Sequence, residues 1–182
     1  MDRTTTMKFV RKFSLAILAL LLAGFLLPER KVVPVVGASD HDWNKNSFWY
    51  EPWGSSGVHK GVDIFARKGT AAVSTTDMLI LYTGQVGKGG NVVLGLGPKW
   101  RLHYFAHLEQ IAESTGFYVS ASETIGTVGD SGNAAGKQPH MHYSVVSLIP
   151  YLWKMDSSTQ GWKKAFYQNP IEYLQTAQAH AP

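Results

Sequence analysis

The chain has 182 residues, 45% of them hydrophobic and 16% charged, with a formal net charge of +4. That is enough apolar material for one domain with a core, and it excludes a disordered chain. There is no cysteine, which excludes disulfides, thiolate metal sites and a cysteine nucleophile; any metal must be held by histidine and carboxylate.

The charge is unevenly placed. Before Ser39, six Lys and Arg face only Asp2 and Glu29; from Ser39 onward eleven basic residues balance eleven acidic ones. The body is neutral and carries no electrostatic footprint for DNA or RNA, so no nucleic-acid partner is expected. The excess sits at the N-terminus, where Lys8, Arg11 and Lys12 precede the fifteen-residue apolar run Phe13 to Leu27. This is the layout of an export signal. Residues 1–31 are read as a signal peptide or a single membrane anchor whose basic end stays in the cytoplasm. The run is shorter than the roughly 20 residues that span a bilayer. Leu26-Leu27-Pro28 is nevertheless a poor cleavage exit, and the small residues Val36-Gly37-Ala38 lie far beyond it, which favours the retained anchor. Either way the body is expected to work outside the cytoplasm.

Residues 32–47 are read as a linker, because prolines, a glycine and polar clusters occur there without a period. The stretch 28–47 would reach about 25 Å as a flexible coil. From 48 to 176 the chain reads as one domain. "VDIFA", "MLILYTG" (78–84), "GNVVLGLG" (90–97), "WRLHYFAHL" (100–108) and "HMHYSVVSL" (140–148) are strand-like in length and composition. Glycine-rich turns separate them, as at 87–90 and 129–136. A short helix is expected in "NPIEYLQTAQ", with Asn169 as cap and Pro170 in its first position. The fold class is mostly β: a small antiparallel sheet or sandwich with an N-terminal apolar helix and a short C-terminal one.

The run "GKQPHMHYSV" at 136–145 raises the question of metal. His140 and His142 are two apart in a strand, so both imidazoles point to one face. Upstream, in "GVHKGVDIFARKGT", His59 lies just before the Lys60-Gly61 bend and Asp63 just after it, so the two can converge. His59, Asp63 and one histidine of the 140/142 pair make a set of two imidazoles and a carboxylate. Catalytic zinc takes such a set, with a further position open to water. In "RLHYFAHL", His103 and His107 share strand parity with Phe105 and offer further imidazoles, His103 reading as a packing residue. Five of the seven histidines fall in these three segments; His41 and His180 are read as exposed and unconnected with them. "GQVGKGGN" does not meet the phosphate-loop spacing, and H-E-x-x-H is absent. Ser131 in "GDSGNAAG" reads as a turn residue, and the six tryptophans as core and rim.

Together, "HKGVDIFARKGT", "YFAHL" and "IGTVGDSGNAAGKQPHMHYSV" resemble the lysostaphin-like, LytM-type zinc metallopeptidases that cut peptidoglycan cross-bridges, from about Gly57 to Val146 with a similar tail in "NPIEYL". The resemblance implies a mostly antiparallel β fold with a long groove. It implies zinc held by His59, Asp63 and His142, with His107 and His140 flanking the metal-bound water as the catalytic pair. It also implies a peptidoglycan peptide as substrate and a place in the bacterial cell envelope. Three positions and one stretch depart from the family pattern: Met78 for glycine, Met141 for leucine, His103 for threonine, and the longer polar entry "GKQPH". None is a proposed ligand; Met78 and the loop 133–139 are expected to bear on substrate preference. Two other classes remain: a non-catalytic envelope protein of the same fold that regulates another cell-wall hydrolase, and a zinc-dependent binding module.

Overall fold

The computed structural model describes residues 3–179, so His180 lies outside the described residues. Helix α1 (Arg3–Leu26) is followed by nine strands: β1 (Val62–Phe65), β2 (Ala71–Val73), β3 (Met78–Val86), β4 (Gly90–Gly97), β5 (Arg101–Ile111), β6 (Tyr118–Val119), β7 (Thr124–Val128), β8 (His140–Ser147) and β9 (Tyr167–Gln168). Helix α2 (Pro170–Ala179) closes the described chain. The strands form one antiparallel sheet in the order β1-β8-β5-β4-β3-β6, with β7 pairing both β5 and β2, and β9 pairing β8. The mostly β expectation holds, and the five expected strands lie where hydrophobic runs and glycine turns put them. The short strands β2, β6, β7 and β9 carry too little alternation to be read from sequence.

Strand parity decides which face is core. Val62 and Ile64 of β1, Phe105 of β5, and Met141, Tyr143 and Val145 of β8 all join the buried cluster. Asp63 and Phe65, and His140, His142 and Ser144, take the opposite face. Ile171 and Leu174 of α2 cover part of the core. Asn169 caps that helix, accepting from the Ile171 N–H at 3.1 Å, which is worth about 1 kcal/mol. Met78 is buried under Gly95 in the core rather than lining the groove.

The linker reading of residues 32–47 is corrected by the packing. Val32 N–H donates to Thr75 O at 2.9 Å, Val36 N–H to Ala71 O at 3.0 Å, and Val73 N–H to Pro34 O at 2.9 Å. Val35 bridges Ala72 in antiparallel fashion and is buried, as is Trp43. The segment lies along β2 because Val33, Val35 and Trp43 have core to fill there. Prolines and charges mask that alternation in the sequence.

From Phe13 on helix α1 is apolar nearly all round, and its stretch Thr6–Leu26 is 21 residues long, enough by length and composition to cross a membrane. It exceeds the fifteen-residue apolar run because Thr6–Lys12 continues the same helix.

Candidate metal centre

The centre lies on the sheet face opposite the core. β1 and β8 pair in register so that Asp63 stands opposite His142. Asp63 Oδ1 and His142 Nδ1 are 2.7 Å apart. His59, on the bend before β1, brings Nε2 to 3.2 Å from Asp63 Oδ1 and 3.1 Å from His142 Nδ1. The three donor atoms lie within 4.8 Å of one another and could hold a metal ion.

Hydrogen bonds behind the rings set their tautomers. His59 Nδ1–H donates to Ser47 O at 3.0 Å, leaving the Nε2 lone pair inward. His142 Nε2–H donates to Ser144 Oγ at 2.9 Å, while that hydroxyl spends its own proton on Lys60 O at 2.9 Å, so Nδ1 is left with its lone pair inward. Two lone pairs and a carboxylate oxygen thus crowd one point with no proton between them, an arrangement a cation relieves. Tetrahedral zinc with bonds of ~2.0–2.1 Å sets its ligand atoms about 3.3 Å apart, close to the imidazole spacing here. The residues fit the ion.

Two more imidazoles stand beside this set. His107 Nδ1–H donates to Ser131 O at 2.9 Å and His140 Nδ1–H to Gln138 O at 2.8 Å, so each ring is anchored through Nδ1 and offers its Nε2. His140 Nε2 is 4.0 Å from Asp63 Oδ2, and the His107 and His140 rings are 5.1 Å apart. Burial pushes His107 down to about 4, so it is neutral near neutral pH.

His107 reaches this face only through a β-bulge, and the shared parity read from sequence is corrected here. Phe105 pairs Val93 and Leu108 pairs Asn91, so three steps on β5 match two on β4. His107 takes a left-handed φ of 63° at the irregularity. Its side chain turns toward His140, and Leu108 drops into the core. Asn91 Nδ2–H bonds to Leu108 O and Glu109 O at 3.1 and 2.9 Å, and Ser131 Oγ–H to Leu108 O at 2.7 Å, pin the distortion. His103, on the regular part of β5, stays in the core against Tyr143, 2.8 Å from Nδ1 to the phenol oxygen. His41 is exposed and pairs loosely with Asp40.

A cleft of about 470 Å³ opens over the centre, between Pro52–Ser56 on one side and the loop 133–138 on the other. Trp53 stacks on the His59 ring, centroids 4.0 Å apart. Gly61 must lack a side chain: a Cβ there would come within 2.6 Å of the His142 ring and Ser144 Oγ. Sequence reasoning missed Ser47, Ser131, Gln138 and Trp53, three of which act through backbone carbonyls that carry no side-chain signature. Ser144 could have been found, since it shares strand parity with His142.

Residues 57–151 match the model of peptidase family M23. The chain is 34% identical over 148 residues to the L-Ala–D-Glu endopeptidase of Bacillus subtilis, covering 70% of this chain and 43% of that protein. It is 29% identical over 105 residues to the murein hydrolase activator NlpD of Salmonella dublin, covering 57% of this chain and 27% of that one. The chain thus spans less than half the length of these curated relatives. Its fold is similar to that of the catalytic domain of the antimicrobial peptidase lysostaphin from Staphylococcus simulans, with a TM-score of 0.52 and 26% identity, covering 68% of this chain and 85% of that domain. The matched span takes in the three histidine-bearing segments and the whole centre they build, and the chain belongs to peptidase family M23.

Proposed function

We propose that the chain is a zinc-dependent endopeptidase of bacterial peptidoglycan, with His59, Asp63 and His142 as ligands and His107 and His140 as the catalytic pair. The observation that carries this reading is the convergence of His59 Nε2, Asp63 Oδ1 and His142 Nδ1 at 2.7–3.2 Å with their protons turned outward. Zinc bound there supplies Lewis acidity and a water whose pKa falls toward neutrality.

The chain's own residues do the rest. The cleft between Trp53 and the loop 133–138 takes an extended peptide and lays its carbonyl over the centre. His107 and His140, locked by Ser131 O and Gln138 O, present Nε2 to the attacking water. One takes the water's proton as the C–O bond forms, and an imidazolium of the pair returns a proton to the amine nitrogen as the C–N bond breaks. Two backbone-anchored imidazoles suit both halves of that transfer.

The similarity to murein hydrolase activators supports a second reading, in which the same fold regulates another hydrolase. Such a role needs no complete ligand set and no pair of oriented imidazoles. The test is full-length protein with zinc and purified peptidoglycan, products read by mass spectrometry. Cleaved stem or bridge peptides that disappear with a chelator are expected. Zinc-loaded protein that releases no fragment, yet raises the turnover of a separate hydrolase, would establish the regulator instead.

In this reading the body works outside the cytoplasm, α1 is kept as a membrane anchor, and residues 32–176 are the working domain.

A further inference from the structure

The tip between β4 and β5 grips the N-terminal segment with three consecutive residues. Trp100 Nε1–H donates to Leu21 O of α1 at 2.9 Å, and its indole lies on Gly24, where any Cβ would collide with the ring. Arg101 Nη1 binds both Glu29 carboxylate oxygens at 3.0 and 2.7 Å, and Lys99 Nζ adds a contact at 3.2 Å. The Glu29 side chain is 1% exposed. Lys99 and Trp100 both hold left-handed backbones, φ 59° and 58°. A tryptophan there costs roughly 1–3 kcal/mol, which the contacts to α1 offset. The last turn of a bilayer-length helix is therefore fixed to the domain.

Depth follows from helix geometry. Leu21 lies five residues before Leu26, the end of the apolar span, or about 7 Å inside it at ~1.5 Å per residue. With α1 in a bilayer, Trp100 would reach from the interface into the outer turns of the span, an amphipathic ring set between headgroups and hydrocarbon. Beside it is a crevice of about 360 Å³, walled by Gly24 of the helix, Leu27 just after it, and Leu79, Leu96 and Tyr118 of the sheet. Phe117, 77% exposed, extends the same edge. Exposed Arg30 and half-buried Lys31 follow the helix at headgroup level.

We propose that the domain is clasped against the bilayer surface, with Lys99, Trp100 and Arg101 locking α1 and with lipid acyl chains filling the crevice toward Phe117. The proposal rests on α1 being a retained anchor. Its consequence is a fixed reach. β5 runs from Arg101 at the clasp to His107 at the centre, six residues on, or about 20 Å at ~3.3 Å per residue. The centre addresses peptide that lies within that height of the membrane and does not swing on a coil.

The cysteine-free chain allows a clean test. Full-length Phe117→Cys and Ala135→Cys, the latter on the exposed cleft loop at the far end of β5, are labelled with an environment-sensitive dye. They are placed in phosphatidylethanolamine/phosphatidylglycerol vesicles with acyl-brominated lipid. The label at 117 should be quenched at least about threefold more than that at 135, as expected for an interfacial aromatic position. Adding Gly24→Leu, which keeps the helix apolar and leaves the domain untouched, should bring the two labels level. Equal quenching in the parent, with the protein still floating with the vesicles, would overturn the clasp and leave the anchor standing. Protein that fails to float would overturn both; neither outcome touches zinc-dependent cleavage, assayed in parallel.

Discussion

Asp63 and His142 stand opposite each other across β1 and β8, and their side chains meet at 2.7 Å. Strand register thus fixes two of the three proposed ligands relative to each other, and His59 completes the set from the bend that precedes β1. Asp63→Ala and His142→Ala are each expected to abolish stoichiometric zinc and activity together, because two remaining donors no longer make a catalytic zinc site. Elemental analysis of the purified variants decides this. Full zinc occupancy in Asp63→Ala would remove Asp63 from the ligand set.

The rings flanking the centre should separate binding from turnover. His107→Ala and His140→Ala are expected to keep zinc and to lower kcat by about 10²–10⁴-fold, the range for a positioned acid or base. His103→Ala, whose side chain packs in the core, should change kcat far less. Steady-state kinetics beside metal content measures both. A dead His103 variant with a near-normal His107 variant would reverse the assignment.

Support behind the ligands is predicted to matter nearly as much. Ser144→Ala removes the acceptor that sets the His142 tautomer, and zinc affinity should fall about 10–100-fold. Gly61→Ala drives a methyl group against the same ring and should weaken zinc binding with little effect on thermal unfolding of the metal-free protein. Competition with a calibrated chelator reads both. Unchanged affinity in Ser144→Ala would show that the tautomer is set otherwise.

A histidine in the core makes stability depend on pH. Burial lowers the His103 pKa from 6.5 to about 4, with a smaller opposing pull from Glu29. Between those values the unfolded chain binds a proton at position 103 that the folded chain refuses. Stability from this group is therefore intact above about pH 6.5 and is lost as pH falls toward 4, by roughly 3 kcal/mol in all. His103→Gln should be less stable at neutral pH and should lose less further stability down to pH 4.5. Urea midpoints at the two pH values give the comparison. A parallel pH dependence in parent and variant would contradict it.

Shortening the chain to 39–182 should damage the domain itself. It removes Val35 from the core, with the Val32, Pro34 and Val36 backbone bonds to Thr75, Val73 and Ala71, and takes Glu29 from Arg101. Loss of Val35 alone is worth about 1.5–3 kcal/mol. Calorimetry of the shortened and full chains tests it; equal melting temperatures would mean the segment adds nothing to stability.

Much of the site is legible in residue order because its elements are local. His140 and His142 share a face by strand parity, His59 and Asp63 flank one bend, and Asn169-Pro170 announces α2. None of this needs knowledge of what packs against what. Tertiary structure alone decided the rest. His107 turns from core parity to the metal face because β5 changes partner there, from β8 up to Ala106 to β7 from Leu108. The carbonyls of Ser47, Ser131 and Gln138 orient three imidazoles, and a carbonyl looks the same at every residue. Glu29 finds Arg101 across 72 positions, and Val35 finds the core beside β2. Periodicity speaks for a residue's own strand or helix, whereas a bulge, a backbone acceptor and a distant ion pair depend on the partner that folding brings.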